Sequence, residues 1–91
     1  MKSVLILEDV SETLTWLGEI AVEAFPGCEV TGVSSVRDAL AAMAQRAFDL
    51  AMIDLRLPDG SGLDVLRRLR AGFPDTICIV TTAMAVSYTH L

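Results

Sequence analysis

Acidic residues follow short hydrophobic runs at two distant places in the chain. Glu8 and Asp9 come directly after residues 4–7 (VLIL), and Asp54 comes directly after residues 48–53 (FDLAMI). Both runs scarcely alternate with polar residues, which is typical of strands buried on both faces of a parallel sheet. Parallel strands present their carboxyl ends at one edge, where open α/β sheets bind their ligands. The pattern therefore predicts an acidic metal pocket formed by these three carboxylates.

The chemistry of this pocket suits Mg²⁺. This hard cation takes octahedral oxygen ligands at about 2.0–2.1 Å and keeps several waters, so one or two carboxylates and a phosphate oxygen satisfy it. Two unit charges about 4 Å apart repel each other by roughly 4 kcal/mol at an effective dielectric constant of 20, and a cation would relieve that repulsion. It would also let an anionic phosphate approach an aspartate nucleophile, which can form an aspartyl phosphate.

A third hydrophobic run brings a hydroxyl group to the same edge. Residues 76–80 (TICIV) have the composition of a strand and are followed by Thr81, Thr82 and Ala83. The carboxyl end of this strand is predicted to lie beside the acidic pocket. Thr81 and Thr82 compete for a contact with a group bound there.

Helical periodicity separates the strand-like runs. The first helix is predicted to begin with Ser11 as its cap and to end at residues 26–27 (PG). Residues 28–33 then form a strand, and Ser34 or Ser35 opens the second helix. The apolar positions predicted to face the core are Val10, Leu14, Leu17, Ala21 and Ala24 on the first helix, Val36, Leu40 and Met43 on the second, and Leu63, Leu66 and Leu69 on the third.

Residues 57–62 (LPDGSG) predict a turn with a prescribed path. Pro58 fixes φ and holds the residue before it extended. Gly60 and Gly62 permit a positive φ. The turn therefore predicts a defined connection between the acidic strand end and the next helix.

The third helix follows this turn. Ser61 is its predicted cap, and Asp64 lies three residues further on. Asp59 and Asp64 are fully explained as a turn former and a capping partner. Strands and helices thus alternate as β-α-β-α-β-α-β, which predicts right-handed crossovers and a parallel sheet covered on both faces.

Composition narrows the class of protein. The chain has 91 residues, a 53% hydrophobic fraction and a net charge of -5. The charge argues against direct nucleic-acid binding by this segment, because phosphate binding needs a basic surface. No stretch reaches the roughly 20 apolar residues of a membrane span, and no signal peptide is recognisable, so we expect a cytoplasmic location. Cys28 and Cys78 stand alone and are predicted to be reduced core residues.

These motifs together resemble the receiver domain of two-component response regulators, over residues 1 to about 85. The resemblance depends on the acidic pair Glu8-Asp9, on Asp54, on residues 57–62 and on the pair at 82–83 (TA). It implies a flavodoxin-like, doubly wound parallel sheet. The four strands predicted in this chain would lie in the order 2-1-3-4 in that sheet.

The resemblance also implies a function and roles for residues. Asp54 would accept a phosphoryl group from a sensor histidine kinase or a histidine phosphotransfer domain, and the module would signal without being an enzyme. Asp9 would bind Mg²⁺ directly, Glu8 would assist through water, and the backbone carbonyl of Arg56 would complete the protein ligands. Thr82 would donate a hydrogen bond to a phosphoryl oxygen and move on activation.

The chain departs from the family pattern near its end. A receiver has a fifth strand and helix, and a lysine that ends the fifth strand; here both elements are missing, and the only lysine is Lys2, at the wrong end of the sheet. Residues 86–91 (VSYTHL) do not resemble the expected polar fourth helix and are interpreted as an atypical, foreign tail. We expect an exposed fourth strand and self-association through it.

Two other functions compete with phosphoacceptor signalling. A pseudo-receiver would act only as a protein-binding module; the acidic triad is intact here, but the absent lysine keeps this alternative open. A Mg²⁺-dependent aspartyl-phosphate phosphatase of the haloacid dehalogenase type would need a D-x-D pair after the first strand, where this chain has Glu8-Asp9-Val10. Trp16 lies off the apolar stripe of the first helix and is either partly buried or an anchor for the phosphotransfer partner.

Overall fold

Four parallel strands form the central sheet of the computed structural model, which describes residues 1–81. The elements are β1 (Ser3–Leu7), α1 (Ser11–Ala24), β2 (Glu29–Val33), α2 (Val36–Gln45), β3 (Leu50–Asp54), β4 (Arg56–Leu57), β5 (Gly60–Ser61), α3 (Gly62–Gly72) and β6 (Ile77–Thr81). The sheet has the order β2-β1-β3-β6, and β4 and β5 form a separate antiparallel pair. Because β6 is the predicted fourth strand, the predicted order 2-1-3-4 is confirmed.

The strand β1 lies at the centre of the fold. It pairs with β2 on one side and β3 on the other, and residues 4–7 have no exposed surface. Burial on both faces explains why the sequence of this strand is continuously hydrophobic. By contrast, β6 has only β3 as a partner within residues 1–81, and its Ile77 is 53% exposed.

Helices cover both faces of the sheet. On one face, Leu17 and Ala21 of α1 pack in a cluster with Val4, Ile6 and Leu50. On the other face, α2 and α3 contribute buried residues to a larger cluster: Ala39, Met43, Val65 and Leu69, with Leu5, Leu7, Phe48, Ala51 and Ile53 beneath them. Successive residues of a strand point to opposite faces, so one strand serves both clusters.

Two of the three predicted helix caps are confirmed. The hydroxyl oxygen of Ser35 accepts from the N–H of Asp38 at 3.1 Å, and that of Ser61 accepts from the N–H of Leu63 at 3.1 Å. The prediction for α1 was wrong, because Ser11 is its first helical residue and the N-cap position is Val10. Val10 has no hydroxyl or carboxylate to offer, and its side chain is exposed rather than in the core.

The core face of α3 also differs from the prediction. Leu69 is buried as expected, but Leu63 is exposed and the buried partner of Leu69 is Val65. At 3.6 residues per turn, a spacing of six places Leu63 about 120° from Leu69, whereas a spacing of four places Val65 only about 40° away. The run of leucines every three residues therefore drifts off the face that contacts the sheet.

The predicted turn contains a short hairpin. Arg56 pairs with Ser61 and Leu57 pairs with Gly60, whose φ is +152°. Gly62 does not have the predicted positive φ; it is required for another reason. A Cβ at this position would lie 2.0 Å from the carbonyl oxygen of Asp54, so the backbone of α3 starts in direct contact with the end of β3.

None of the helices in residues 1–81 combines the length and the apolar character required to span a membrane.

We predict that Gly62→Ala destabilises the protein by about 3 kcal/mol or more, because either the new methyl group or the backbone at the end of β3 must move. Chemical denaturation of the purified variants measures the effect. Gly72→Ala is the matched control: a Cβ there meets nothing within 4 Å, and Ala is favoured over Gly in a helix by up to about 1 kcal/mol. Equal stabilities of the two variants would contradict the prediction.

Candidate functional site

The three predicted carboxylates meet at the carboxyl edge of the sheet. Leu7 of β1 lies opposite Ile53 of β3 in the parallel register, so the residues that follow them are neighbours. Glu8, Asp9 and Asp54 each offer a carboxylate oxygen, and these oxygens all lie within 4.8 Å of one another. The sequence prediction that they form one cluster is confirmed.

Backbone hydrogen bonds fix two of the three side chains. The N–H of Glu8 donates to the carbonyl oxygen of Val33 at 3.0 Å, which extends the pairing of β1 with β2 by one residue. The carboxylate of Glu8 accepts from the N–H of Val10 at 3.2 Å, and that of Asp54 accepts from the N–H of Arg56 at 3.1 Å. Each of these two carboxylates is thus held by the residue two positions further along the chain.

The members of the cluster differ in burial. Glu8 is 7% exposed and Asp54 is 9% exposed, whereas Asp9 is open to solvent. Burial raises the pKa of Glu8 above its usual value of 4.5. The hydrogen bond with Asp9 and the charge and hydrogen bond of Asp54 raise this pKa further, while the N–H of Val10 opposes them. The cluster therefore carries negative charge at a cost that a cation would remove.

The donor set fits Mg²⁺ well. All three side chains offer oxygen atoms, and hard divalent cations select oxygen ligands. An ion held by these three side chains would take only part of its coordination sphere from them, which would leave positions for water and for an anionic ligand. Glu8, Asp9 and Asp54 are the residues that would hold the ion.

The remaining predicted site residues have different outcomes. Arg56 is the first residue of β4 and lies beside the cluster through its N–H bond to Asp54; a role for its carbonyl oxygen as a metal ligand stays a prediction. Thr82 falls outside the described residues, as does the tail at 86–91. Thr81, the rival candidate, is the cross-strand partner of Asp54, and its buried hydroxyl has no hydrogen-bond partner in the described part of the chain.

One residue near the site has a role that the sequence reading missed. Asp59 was predicted to be only a turn former, yet its carboxylate accepts from the N–H groups of Val36 and Arg37, at 2.9 and 3.1 Å. These two bonds hold the pKa of Asp59 below its usual value. No local pattern could have predicted them, because the partners lie 22 and 23 residues earlier in the chain.

Comparison with known families assigns the chain to one class of protein. A family model described as the response regulator receiver domain matches residues 4–90. The acid tolerance regulatory protein ActR of Rhizobium meliloti (strain 1021) is 43% identical over 81 residues, which cover 89% of this chain and 41% of ActR. The regulatory protein LuxO of Vibrio vulnificus (strain YJ016) is 42% identical over 57 residues, which cover 63% of this chain and 13% of LuxO.

Solved structures agree with this assignment. A CheY-like response regulator receiver domain from Methylobacillus flagellatus aligns with a TM-score of 0.78 and 32% identity over 90% of this chain and 70% of that one. The response regulator TrrA of Thermotoga maritima, solved in complex with Mg²⁺-BeF, aligns with a TM-score of 0.81 and 29% identity over 91% of this chain and 70% of that one.

The chain therefore belongs to the response regulator receiver domain family of two-component signalling systems. The predicted flavodoxin-like fold is confirmed by these structural neighbours. The chain spans only 13% of LuxO and 41% of ActR, so it covers less than half the length of either relative.

We predict that Glu8→Gln stabilises the metal-free protein at neutral pH. Because the pKa of Glu8 is raised on folding, its contribution to stability is complete below the unfolded value of 4.5 and is lost as the pH rises through the folded value. A neutral glutamine does not suffer this loss. Thermal melts from pH 4 to 8 in chelator should show the advantage of the variant at pH 7 and its disappearance toward pH 4.

The control for this prediction is Glu19→Gln, an exposed glutamate of α1. This substitution removes the same charge but does not reduce the repulsion among the three carboxylates of the cluster. Addition of Mg²⁺ should stabilise the unmodified chain more than Glu8→Gln and so reduce the difference between their melting temperatures. If metal-free Glu8→Gln melts below the unmodified chain at pH 7, burial of this carboxylate is not the source of strain.

Proposed function

We propose that this domain is a phosphoacceptor that takes a phosphoryl group onto Asp54 from a sensor histidine kinase or a histidine phosphotransfer domain, with Mg²⁺ bound beside it. The observation that carries the proposal is the cluster of three carboxylate oxygens within 4.8 Å, with Asp54 at the end of β3. Membership of the receiver family supports it, and so does the relative TrrA, whose structure contains Mg²⁺-BeF.

The proposed reaction is an in-line displacement at phosphorus. One oxygen of Asp54 accepts the N–H of Arg56, which leaves the other oxygen for attack. As the new P–O bond forms, the P–N bond of a phosphohistidine breaks, and the imidazole nitrogen keeps the electron pair and takes up a proton. When bound, Mg²⁺ offsets the repulsion between the carboxylates and the incoming phosphoryl oxygens.

Residues around Asp54 have distinct proposed roles. Asp9 binds the metal directly, as its open position beside the buried pair allows. Glu8 assists through water, and the carbonyl oxygen of Arg56 is the further protein ligand. Thr82 donates a hydrogen bond to the phosphoryl group on activation, in a receiver domain that extends to about residue 85.

The proposed partner surface lies on α1, which begins two residues after Asp9. Trp16 is 59% exposed, and Ile20, one turn further along, is also exposed. Apolar side chains of this size can anchor a docked helix. The net charge of -5 supports the absence of nucleic-acid contact by this segment. Self-association through the outer edge of β6 and a cytoplasmic location stay predictions.

We predict that Asp54 takes up a phosphoryl group from a small acyl phosphate only when Mg²⁺ is present, and that Asp54→Asn abolishes the uptake. The amide cannot act as the nucleophile, whereas the fold should tolerate an isosteric side chain. Intact mass spectrometry measures the label, which should be labile to base. Asp49→Asn, at the other end of β3, is the control and should label normally.

This measurement also separates the proposal from its rivals. Label on a different residue, or label retained in Asp54→Asn, would refute the assignment of the nucleophile. A chain that binds Mg²⁺ but never takes up label would favour the pseudo-receiver. Steady release of phosphate over many turnovers would favour a phosphatase, although Glu8-Asp9-Val10 lacks the D-x-D pair that this class needs.

We predict that Asp9→Ala weakens Mg²⁺ binding more than Glu8→Ala, because a direct ligand is lost rather than one that acts through water. The loss for Glu8→Ala should be about tenfold, which is usual for a residue that supports a ligand, and the loss for Asp9→Ala should exceed it. Calorimetric titration of folded variants measures both. Asp75→Ala, an exposed residue before β6, controls for net charge; equal losses for Glu8 and Asp9 would overturn the assignment.

A further inference from the structure

Asp59 connects the hairpin after the phosphoacceptor to a distant helix. It lies at the tip of the hairpin, between Leu57 of β4 and Gly60 of β5. Its two carboxylate oxygens accept one N–H each, from Val36 at 2.9 Å and from Arg37 at 3.1 Å. These are the first two residues of α2, so one side chain joins two segments that are far apart in sequence.

The start of α2 is well suited to a carboxylate. The first N–H groups of a helix have no partner within the helix, and the helix dipole places partial positive charge there. Ser35 already satisfies the N–H of Asp38, so α2 has a local cap of its own. Arg37 is exposed and Val36 is partly buried against the larger core cluster, but both hydrogen bonds lie where water could bind the N–H groups instead. The specific contribution of Asp59 is therefore the connection between the hairpin and α2.

The base of the same hairpin lies at the acidic cluster. Arg56 pairs with Ser61, and its N–H donates to the carboxylate of Asp54 at 3.1 Å. The N–H of Gly62 donates to the carbonyl oxygen of Leu55 at 3.1 Å, and the backbone at Gly62 touches that of Asp54. Backbone contacts thus hold the base of the hairpin and the bonds of Asp59 hold its tip, so the Arg56 peptide groups lie in a segment that is held at both ends.

The connection also closes a ring around the site. The segment before α2 comes from β2, whose Val33 carbonyl accepts the N–H of Glu8 at 3.0 Å. Glu8 is hydrogen-bonded to Val33, and the chain leads from Val33 through Ser35 to the start of α2. Asp59 joins α2 to the hairpin, and the hairpin begins beside Asp54. The ends of β1 and β3, which carry Glu8 and Asp54, are therefore both attached to the unit formed by the start of α2 and the hairpin.

We propose that Asp59 is a positioning residue for the phosphoryl-transfer site: by fastening the hairpin to α2, it holds Arg56 where its N–H orients Asp54 and where its carbonyl oxygen would be available as a metal ligand. This inference rests on the proposed function of Asp54 and Mg²⁺. Loss of the connection lets the hairpin tip move and weakens both metal binding and phosphoryl uptake, although no atom of Asp59 touches either ligand.

The chain contains a close match to Asp59 at the opposite end of the sheet. The carboxylate of Asp49 accepts the N–H groups of Lys2 and Ser3, at 2.7 and 3.1 Å, across 47 and 46 residues of sequence. Asp49 and Asp59 are both exposed, and in both the backbone bonds lower the pKa of the carboxyl group. Replacing either by Ala removes one charge and two long-range hydrogen bonds, but only Asp59 is connected to the site.

The test compares four variants of the 91-residue chain: Asp59→Ala, Asp59→Asn, Asp49→Ala and Ser35→Ala. Ser35→Ala removes the local cap of α2, and so some of the helix stability, without touching the hairpin. The readouts are stability, the Mg²⁺ dissociation constant, the rate of labelling at saturating Mg²⁺, and the NMR shifts of the backbone amides of Arg56 and Asp54.

We predict that all three alanine variants lose stability but that only Asp59→Ala weakens Mg²⁺ binding, by about tenfold, as for other residues that support a ligand. It should also slow labelling and shift the Arg56 amide. Asp59→Asn keeps one acceptor oxygen and should give an intermediate Mg²⁺ affinity. If Asp59→Ala is not folded, Asp59→Asn is compared with Asp49→Ala in its place.

The inference is overturned if Asp59→Ala matches Asp49→Ala in Mg²⁺ affinity, labelling rate and Arg56 shift, because Asp59 would then serve stability alone. The proposed function fails separately, when the unmodified chain neither binds Mg²⁺ nor takes up label. In that case the Arg56 amide still decides the matter: a shift in Asp59→Ala but not in Ser35→Ala supports positioning of the hairpin, and an unchanged amide refutes it.

Discussion

The parallel pairing of β1 with β3 is the interaction on which the site depends. It places Leu7 opposite Ile53, and the acidic residues that follow these two positions become neighbours although more than forty positions separate them in sequence. The pairing is itself secured by burial, since residues 4–7 have no exposed surface and helices cover both faces of the sheet. Chemistry at the edge and hydrophobic packing in the centre thus rely on the same register.

This arrangement concentrates like charge where water is scarce. Two of the three carboxylates are almost fully buried, and burial raises the pKa of Glu8. The hydrogen bonds from Val10 and Arg56 stabilise individual carboxylate oxygens but bring no positive charge, so they do not cancel the repulsion among the carboxylates. A divalent cation would supply the positive charge that the pocket lacks.

The segment after Asp54 turns this cluster into a defined geometry. The close approach of Gly62 fixes where α3 begins, and the short hairpin returns the chain to the edge of the sheet. Asp59 then joins the hairpin to α2, so that two loops at the carboxyl edge are held relative to each other. Rigid loops suit a site whose ligands must approach several oxygens at once, because preorganised groups need not be ordered again each time a ligand binds.

Short-range patterns in the sequence were enough for the four strands of the central sheet, the helices and the acidic cluster, but not for the β4-β5 hairpin. Hydrophobic runs, the caps Ser35 and Ser61, and the position of carboxylates at strand ends depend on neighbouring residues and on general rules of parallel sheets. Tertiary structure decided the rest. Which leucine of α3 is buried depends on how the helix lies on the sheet, and Ser11 failed as a cap because α1 begins one residue earlier than that role requires. Asp59 could be recognised only once folding had brought a distant helix start to its carboxylate, since a hydrogen bond across 23 residues leaves no periodic trace in the sequence.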